Sequence, residues 1–197
     1  LQEIAAALQE HADEITRANQ ADVREAEKAG LPKVLIKRLG YDRSKILESV
    51  ESLRSLIKQE DPIGKLVSST ELDSGLVLER VTCPIGVIGV IFEARPEALV
   101  QISSLCLKSG NAVILKGGSE AHRTNEILAQ IIVKAVTDLD ERFTSAVQLL
   151  STREEINRLL AMDQFVDLII PRGSNQLVRF IKEHTKIPVL GHADGIC

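Results

Sequence analysis

Three short stretches of this 197-residue chain carry side chains suited to holding an anion at a turn. In the first, "KGGSE", the cation Lys116 precedes Gly117 and Gly118, whose missing Cβ atoms let a ligand come close to the backbone. Ser119 stands where it would cap a following helix with free N–H groups facing outward, and Glu120 is available to a hydroxyl. The second, "PRGSN", repeats the arrangement with Arg172, Gly173 and Ser174. The third, "EARPE", sets Arg95 just before Pro96, a residue preorganised for the first turn of a helix. A guanidinium there pairs bidentately with a carboxylate or phosphate of a substrate, or lies solvated on a loop, and spacing alone leaves both open.

A glycine-softened turn and a plain helix start are the bland readings of the first two stretches. Two such starts in one sheet favour a dinucleotide, although neither a P-loop nor a G-x-G-x-x-G fingerprint occurs. Where an acidic residue would usually meet bare ribose hydroxyls, this chain has Lys116, a cation suited to an extra phosphate; the expected cofactor is NADPH/NADP.

The cysteines offer less. Cys83, Cys106 and Cys197 are odd in number and have no paired spacing, so neither a disulfide framework nor a cysteine zinc site is expected, and a reducing cytoplasm fits best. Cys106 falls in an apolar helical stretch and Cys83 on a strand before Pro84, both inert settings. His192, Asp194 and Cys197 share the closing "GHADGIC", but nothing in that spacing fixes a metal site or a Cys–His pair, and no metal is expected.

The elements that would hold these turns are legible in the periodicity. Residues 1–60 read as a helical layer: Leu1, Ile4, Ala5, Leu8, Ala12 and Ile15 keep helical spacing, a second helix ends at Gly30, and a further one follows Asp42 as N-cap. Residues 64–83 read as an antiparallel hairpin turning at Asp73, Ser74 and Gly75, with one face exposed because polar and apolar residues alternate. Across 86–197 the apolar runs "GVIGVIF", "AVILK", "AVQLL", "VDLII" and "IPVL" alternate with helices starting near Pro96, Ser119, Ser151 and Ser174. Runs apolar on both faces, joined by helical crossovers, predict an α/β fold with a doubly wound parallel sheet of about five strands. In "STREEINRLL" a capping box is possible from either Ser151 or Thr152.

Composition excludes several classes. A net charge of −4 and 3% aromatic residues provide neither the basic face nor the stacking platforms of a nucleic-acid binder. The longest apolar stretch, Val81 to Phe92, is too short and broken to span a membrane. Both ends read as cuts through a longer protein, since the chain opens in mid-pattern without an initiator Met.

Long stretches, "PIGVIGVIFEARPEALVQISSLCLKSGNAVILKGGSEA", "VDLIIPRGSNQLVRFI" and "IPVLGHADGIC", closely resemble the γ-glutamyl phosphate reductase family (glutamate-5-semialdehyde dehydrogenase), the proline-biosynthesis branch of the aldehyde dehydrogenase superfamily. The resemblance implies the N-terminal NADP-binding domain of such an enzyme, with the 64–83 hairpin as an oligomerisation element of a homo-oligomer and the catalytic domain lying beyond this chain. It implies reduction of γ-glutamyl phosphate to glutamate 5-semialdehyde and phosphate, with association with glutamate 5-kinase as a further expectation. By the same resemblance Lys116 and Glu120 hold the adenosine ribose and Ser174 sits near the pyrophosphate. The family's nucleophile lies in a later Cys-Asn-x-x-Glu motif, so Cys197 is expected to be structural and the fragment alone inactive. The general-base Glu of hydrolytic relatives has no counterpart at Leu190 to His192, which suits a reductase that must keep water off its thioester. Their oxyanion Asn falls near Ala94, leaving Arg95 or a backbone amide for that task. Two alternatives remain: the reductase half of a bifunctional pyrroline-5-carboxylate synthase, and a catalytically silent nucleotide-binding module.

Overall fold

The computed structural model describes residues 1–93 and 95–191, and the expectations for Ala94 and for His192, Asp194 and Cys197 lie outside them. Four helices come first, α1 (Gln2–Glu10), α2 (Ala12–Lys28), α3 (Lys33–Leu39) and α4 (Arg43–Lys58). Asp42 does cap α4, its carboxylate accepting from Lys45 N. The continuous helical spacing of the first twenty residues hides a break at His11 between α1 and α2. The short α3 was not expected; it follows Pro32 and buries Leu39 against Ala26 and Ala121.

The hairpin pairs β1 (Leu66–Asp73) with β2 (Leu76–Val81) around Ser74 and Gly75, the latter at φ 75°, where glycine carries no Cβ penalty. The expectation of a single exposed face is corrected here: every residue of both strands is exposed, the two strands packing chiefly on each other among the described elements.

The main sheet contains β3 (Val87–Phe92), β4 (Ala112–Lys116), β5 (Val147–Leu149) and β6 (Leu168–Arg172), all parallel in the order β5-β4-β3-β6. Among the described residues the fifth run, "IPVL", makes a single parallel bridge, Val189 to Ile169, so the sheet there has four strands, against the five or so expected, with an extra bridge at the β6 edge. Helices α5 (Pro96–Lys108), α6 (His122–Thr137), α7 (Arg153–Leu160) and α8 (Asn175–Glu183) supply the crossovers and their continuation. Strand alternation divides the core. Ile88, Val90 and Phe92 join the cluster containing α1, α4, α5 and α6 residues, whereas Ile91 joins the one containing Leu159 of α7 and Ile181 of α8. Gly89 faces that second side, where an added Cβ would lie 2.6 Å from Ile169 Cδ1. Helices therefore cover both faces, which is the doubly wound arrangement.

Candidate functional site

The sheet register brings the strand-end cations together. Lys116 pairs with Ile91 and Arg172 with Phe92, so both lie at the carboxyl edge, on either side of β3. The chain steps from β3 to β4 and β5, then returns to β6 on the other flank, making a topological switch point at that edge. The turns after β3 and β6 touch there: a Cβ on Gly173 would lie 3.0 Å from Glu93 Oε2. Arg95, exposed at the N-cap of α5, makes no side-chain cap bond, and Arg172 is likewise exposed.

The turn after β4 differs from expectation. Ser119 opens a single 3-10 turn, Ser119–Ala121, and α6 begins only at His122, so Ser119 is not its cap. Nor do the first amides of α6 face outward for an anion. The carboxylate of Asp22, from α2, accepts from Thr124 N at 2.8 Å, from Thr124 Oγ1 at 2.7 Å and from Arg123 N at 3.3 Å. Asp22 is 2% exposed, and this buried carboxylate does from another helix what Ala121, the residue at the N-cap position, cannot do. Arg123 completes the clasp, donating to Asp22 at 3.2 Å and to Glu25 at 2.5 Å.

Within this turn the two glycines make room for the protein's own side chains. A Cβ on Gly117 would come within 2.2 Å of Asn125 Nδ2, and one on Gly118 within 2.1 Å of Glu120 Oε1. Lys116 is buried and its Nζ donates to Gly117 O at 2.5 Å. A narrow cleft of about 10 Å³ lies between Lys116, Gly117, Gly118 and Asn125 on one side and Leu149 and Ser151 on the other. It shares Ser119, His122 and Ser151 with a groove of about 890 Å³ that also borders Glu25, Glu120 and Thr152.

The other two helix starts are now distinguishable. At α7 the structure selects Thr152 as cap: Glu155 N donates to Thr152 Oγ1, while the Glu155 carboxylate accepts from Thr152 N at 2.7 Å and Ser151 N at 2.9 Å. These bonds hold the Glu155 carboxyl below its usual range. At α8, Ser174 caps as expected, accepting from Leu177 N. At this start too a carboxylate of the protein stands close, that of Glu93 against Gly173, just before the cap.

Cys106 is buried and its thiol is pushed up to about 11, which leaves it a poor nucleophile, and Cys83 is exposed. Among the described residues no three His, Cys, Asp or Glu side chains group as a metal site, and no helix is long and apolar enough to cross a membrane. Sequence reasoning gave no role to Asp22, Glu93 or Asn125, although Glu93 opens the "EARPE" stretch.

Comparison with known proteins returned no matching family model. In sequence the chain is 56% identical over its whole length to γ-glutamyl phosphate reductase of Acetivibrio thermocellus, of which it covers 46%. It is 57% identical to the protein of that name from Pelotomaculum thermopropionicum, covering 45%. The chain thus spans about half the length of the curated relatives it matches. The crystal structure of γ-glutamyl phosphate reductase from Saccharomyces cerevisiae superposes on all of this chain with a TM-score of 0.91 and 44% identity, the match covering 50% of that protein. An acetylating aldehyde dehydrogenase from Geobacillus thermoglucosidasius shares the fold at a TM-score of 0.65 with 18% identity, over 96% of this chain and 39% of its own.

Proposed function

We infer, from the γ-glutamyl phosphate reductase family to which the chain belongs over its whole length, that it forms the dinucleotide-holding part of an enzyme of proline biosynthesis. That enzyme reduces γ-glutamyl phosphate to glutamate 5-semialdehyde, releasing phosphate. The cofactor is NADPH, which when bound supplies the reducing equivalent. The observation that carries this reading is the alignment of Lys116 and Arg172 at the carboxyl edge of one parallel sheet, flanking its switch point.

Each turn then has a task. The Lys116–Glu120 turn and its groove take the adenosine end, with Lys116 countering the 2′-phosphate and Glu120 accepting from a ribose hydroxyl. Gly173 and Ser174 present the start of α8 to the pyrophosphate, and Arg172 adds charge beside it. Arg95, at the mouth of the neighbouring turn, meets the acyl phosphate or its oxyanion. No described cysteine serves as nucleophile; the thiolate that forms the thioester belongs to a part of the protein outside this chain. The exposed hairpin, with Leu66, Leu72, Leu76 and Leu78 each more than half exposed, pairs with another copy in a homo-oligomer.

The test is the reverse reaction of the full-length protein. Glutamate 5-semialdehyde, phosphate and NADP should together raise absorbance of the reduced nicotinamide, and omission of phosphate should abolish the rise. A rate independent of phosphate would overturn the reading.

A further inference from the structure

We propose that Glu97 is a substrate-binding residue that sets specificity, its carboxylate receiving the α-ammonium group of the substrate; the assignment rests on the reading of the acyl phosphate turn given above. Glu97 sits in the first turn of α5, two residues after Arg95. Its Oε2 is sealed from solvent and has no hydrogen-bond partner among the described residues, although the residue as a whole keeps part of its surface open. Burial pushes the Tyr41 hydroxyl up to about 12; the bond to Ser49 works against that shift, and the negative charge of Glu97 adds to it. None of the ion pairs among the described residues includes Glu97 or Arg95. A half-buried carboxylate without a counter-charge is unfavourable, and buried charges are normally paired. The α5 dipole favours an acid at this position but gives Oε2 no donor, and a water molecule supplies a hydrogen bond but no counter-charge.

Position and charge narrow the missing cation. Further along the same face of α5, Gln101 and Ser104 meet Ser49, Ser52 and Ser55 of α4 across a groove of about 450 Å³. Ser49 ties that groove to the carboxylate, since it lines the groove and its Oγ accepts from the Tyr41 hydroxyl at 2.8 Å. The first turn of α5 thus sets a cation, Arg95, and an anion, Glu97, two residues apart, neither of them in an ion pair among the described residues. Such a turn suits a ligand that carries both charges on one short chain. γ-Glutamyl phosphate is such a ligand: with its acyl phosphate on Arg95, its α-ammonium is the cation left for Glu97, and the groove's hydroxyls offer donors to its α-carboxylate. A substrate without the amino group leaves Glu97 as it stands.

The experiment runs the reverse reaction of the full-length protein, with NADP and phosphate, on glutamate 5-semialdehyde and on 5-oxopentanoate, which has the same chain without the amino group. Wild type and Glu97→Gln are compared, with melting curves of both proteins free of ligand. In the wild type kcat/KM should favour glutamate 5-semialdehyde. That preference should shrink about ten- to a hundredfold in Glu97→Gln, the size of one lost hydrogen bond to a charged group, while kcat/KM for 5-oxopentanoate stays the same and the ligand-free Tm is not lowered. Comparing the ratio between the two proteins cancels the fraction of each aldehyde that is free in solution. An unchanged preference would overturn the assignment, as would equal losses for both substrates, which would mark Glu97 as a structural carboxylate. If Glu97→Gln does not fold, Glu97→Met, of similar length and without charge, takes its place and the same outcomes decide. A wild type active on both aldehydes without preference would overturn the assignment alone. A wild type that reduces no NADP in a phosphate-dependent way on either aldehyde would overturn the reductase reading itself, and the assignment with it.

Discussion

Lys116 shows what a single residue can announce locally. Its place at the end of an apolar run, before two glycines, is a pattern within five residues, and for that reason the turn could be singled out from sequence. With the 2′-phosphate as its partner, Lys116→Ala should weaken NADPH binding about tenfold and leave NADH nearly untouched; equal losses in parallel titrations would remove that role. Asp22 announces nothing, because its partners Thr124 and Arg123 stand about a hundred residues away and α2 there reads as an ordinary polar helix face. Replacing it by alanine strands buried amides at the start of α6. The expected cost is about 1–3 kcal/mol in urea unfolding, and a change under 0.5 kcal/mol, the range of an ordinary surface substitution, would show the clasp to be dispensable.

Helix starts illustrate how far an element is legible. Ser, Thr, Asp and Asn before an apolar-periodic stretch located α4, α7 and α8, since capping is a local hydrogen-bond problem. The same logic failed at α6, where the cap comes from a distant helix, and at α3, whose seven residues are too few for periodicity to declare itself. At α7 the register of the box was ambiguous until Glu155 was seen to gather the amides of both Ser151 and Thr152. Thr152→Ala should cost about 1 kcal/mol. The depressed Glu155 carboxyl adds a pH dependence with a definite sign. Its contribution is present above the unfolded value, about 4.3, and is lost as pH falls through the lower folded value. Melting curves between pH 6 and pH 3 should therefore fall less steeply in Glu155→Gln than in the wild type, and parallel curves would contradict the linkage.

At the scale of the molecule, the doubly wound sheet was legible because strands buried on both faces must be apolar throughout, as β3 and β4 are. The edge was not: "IPVL" has a strand's composition, but only Val189 finds a pairing partner. The hairpin's complete exposure was also hidden, since alternation of polar and apolar residues looks the same whether one face is covered by this chain or by another. If a second copy covers it, replacing Leu72, Leu76 and Leu78 by Ser should shift the full-length protein to a smaller species in sedimentation, and an unchanged mass would free the hairpin of that role. The clasp between α2 and α6 has an effect that reaches past either helix. Coupling between sites is reciprocal at equilibrium, so if a closed α2 steadies the Lys116–Glu120 turn through the clasp, a ligand that steadies the turn favours the closed α2 equally. Occupancy of the nucleotide end would then be readable as slowed amide exchange around Asp22 and Glu25, in a helix made before a single strand of the sheet exists.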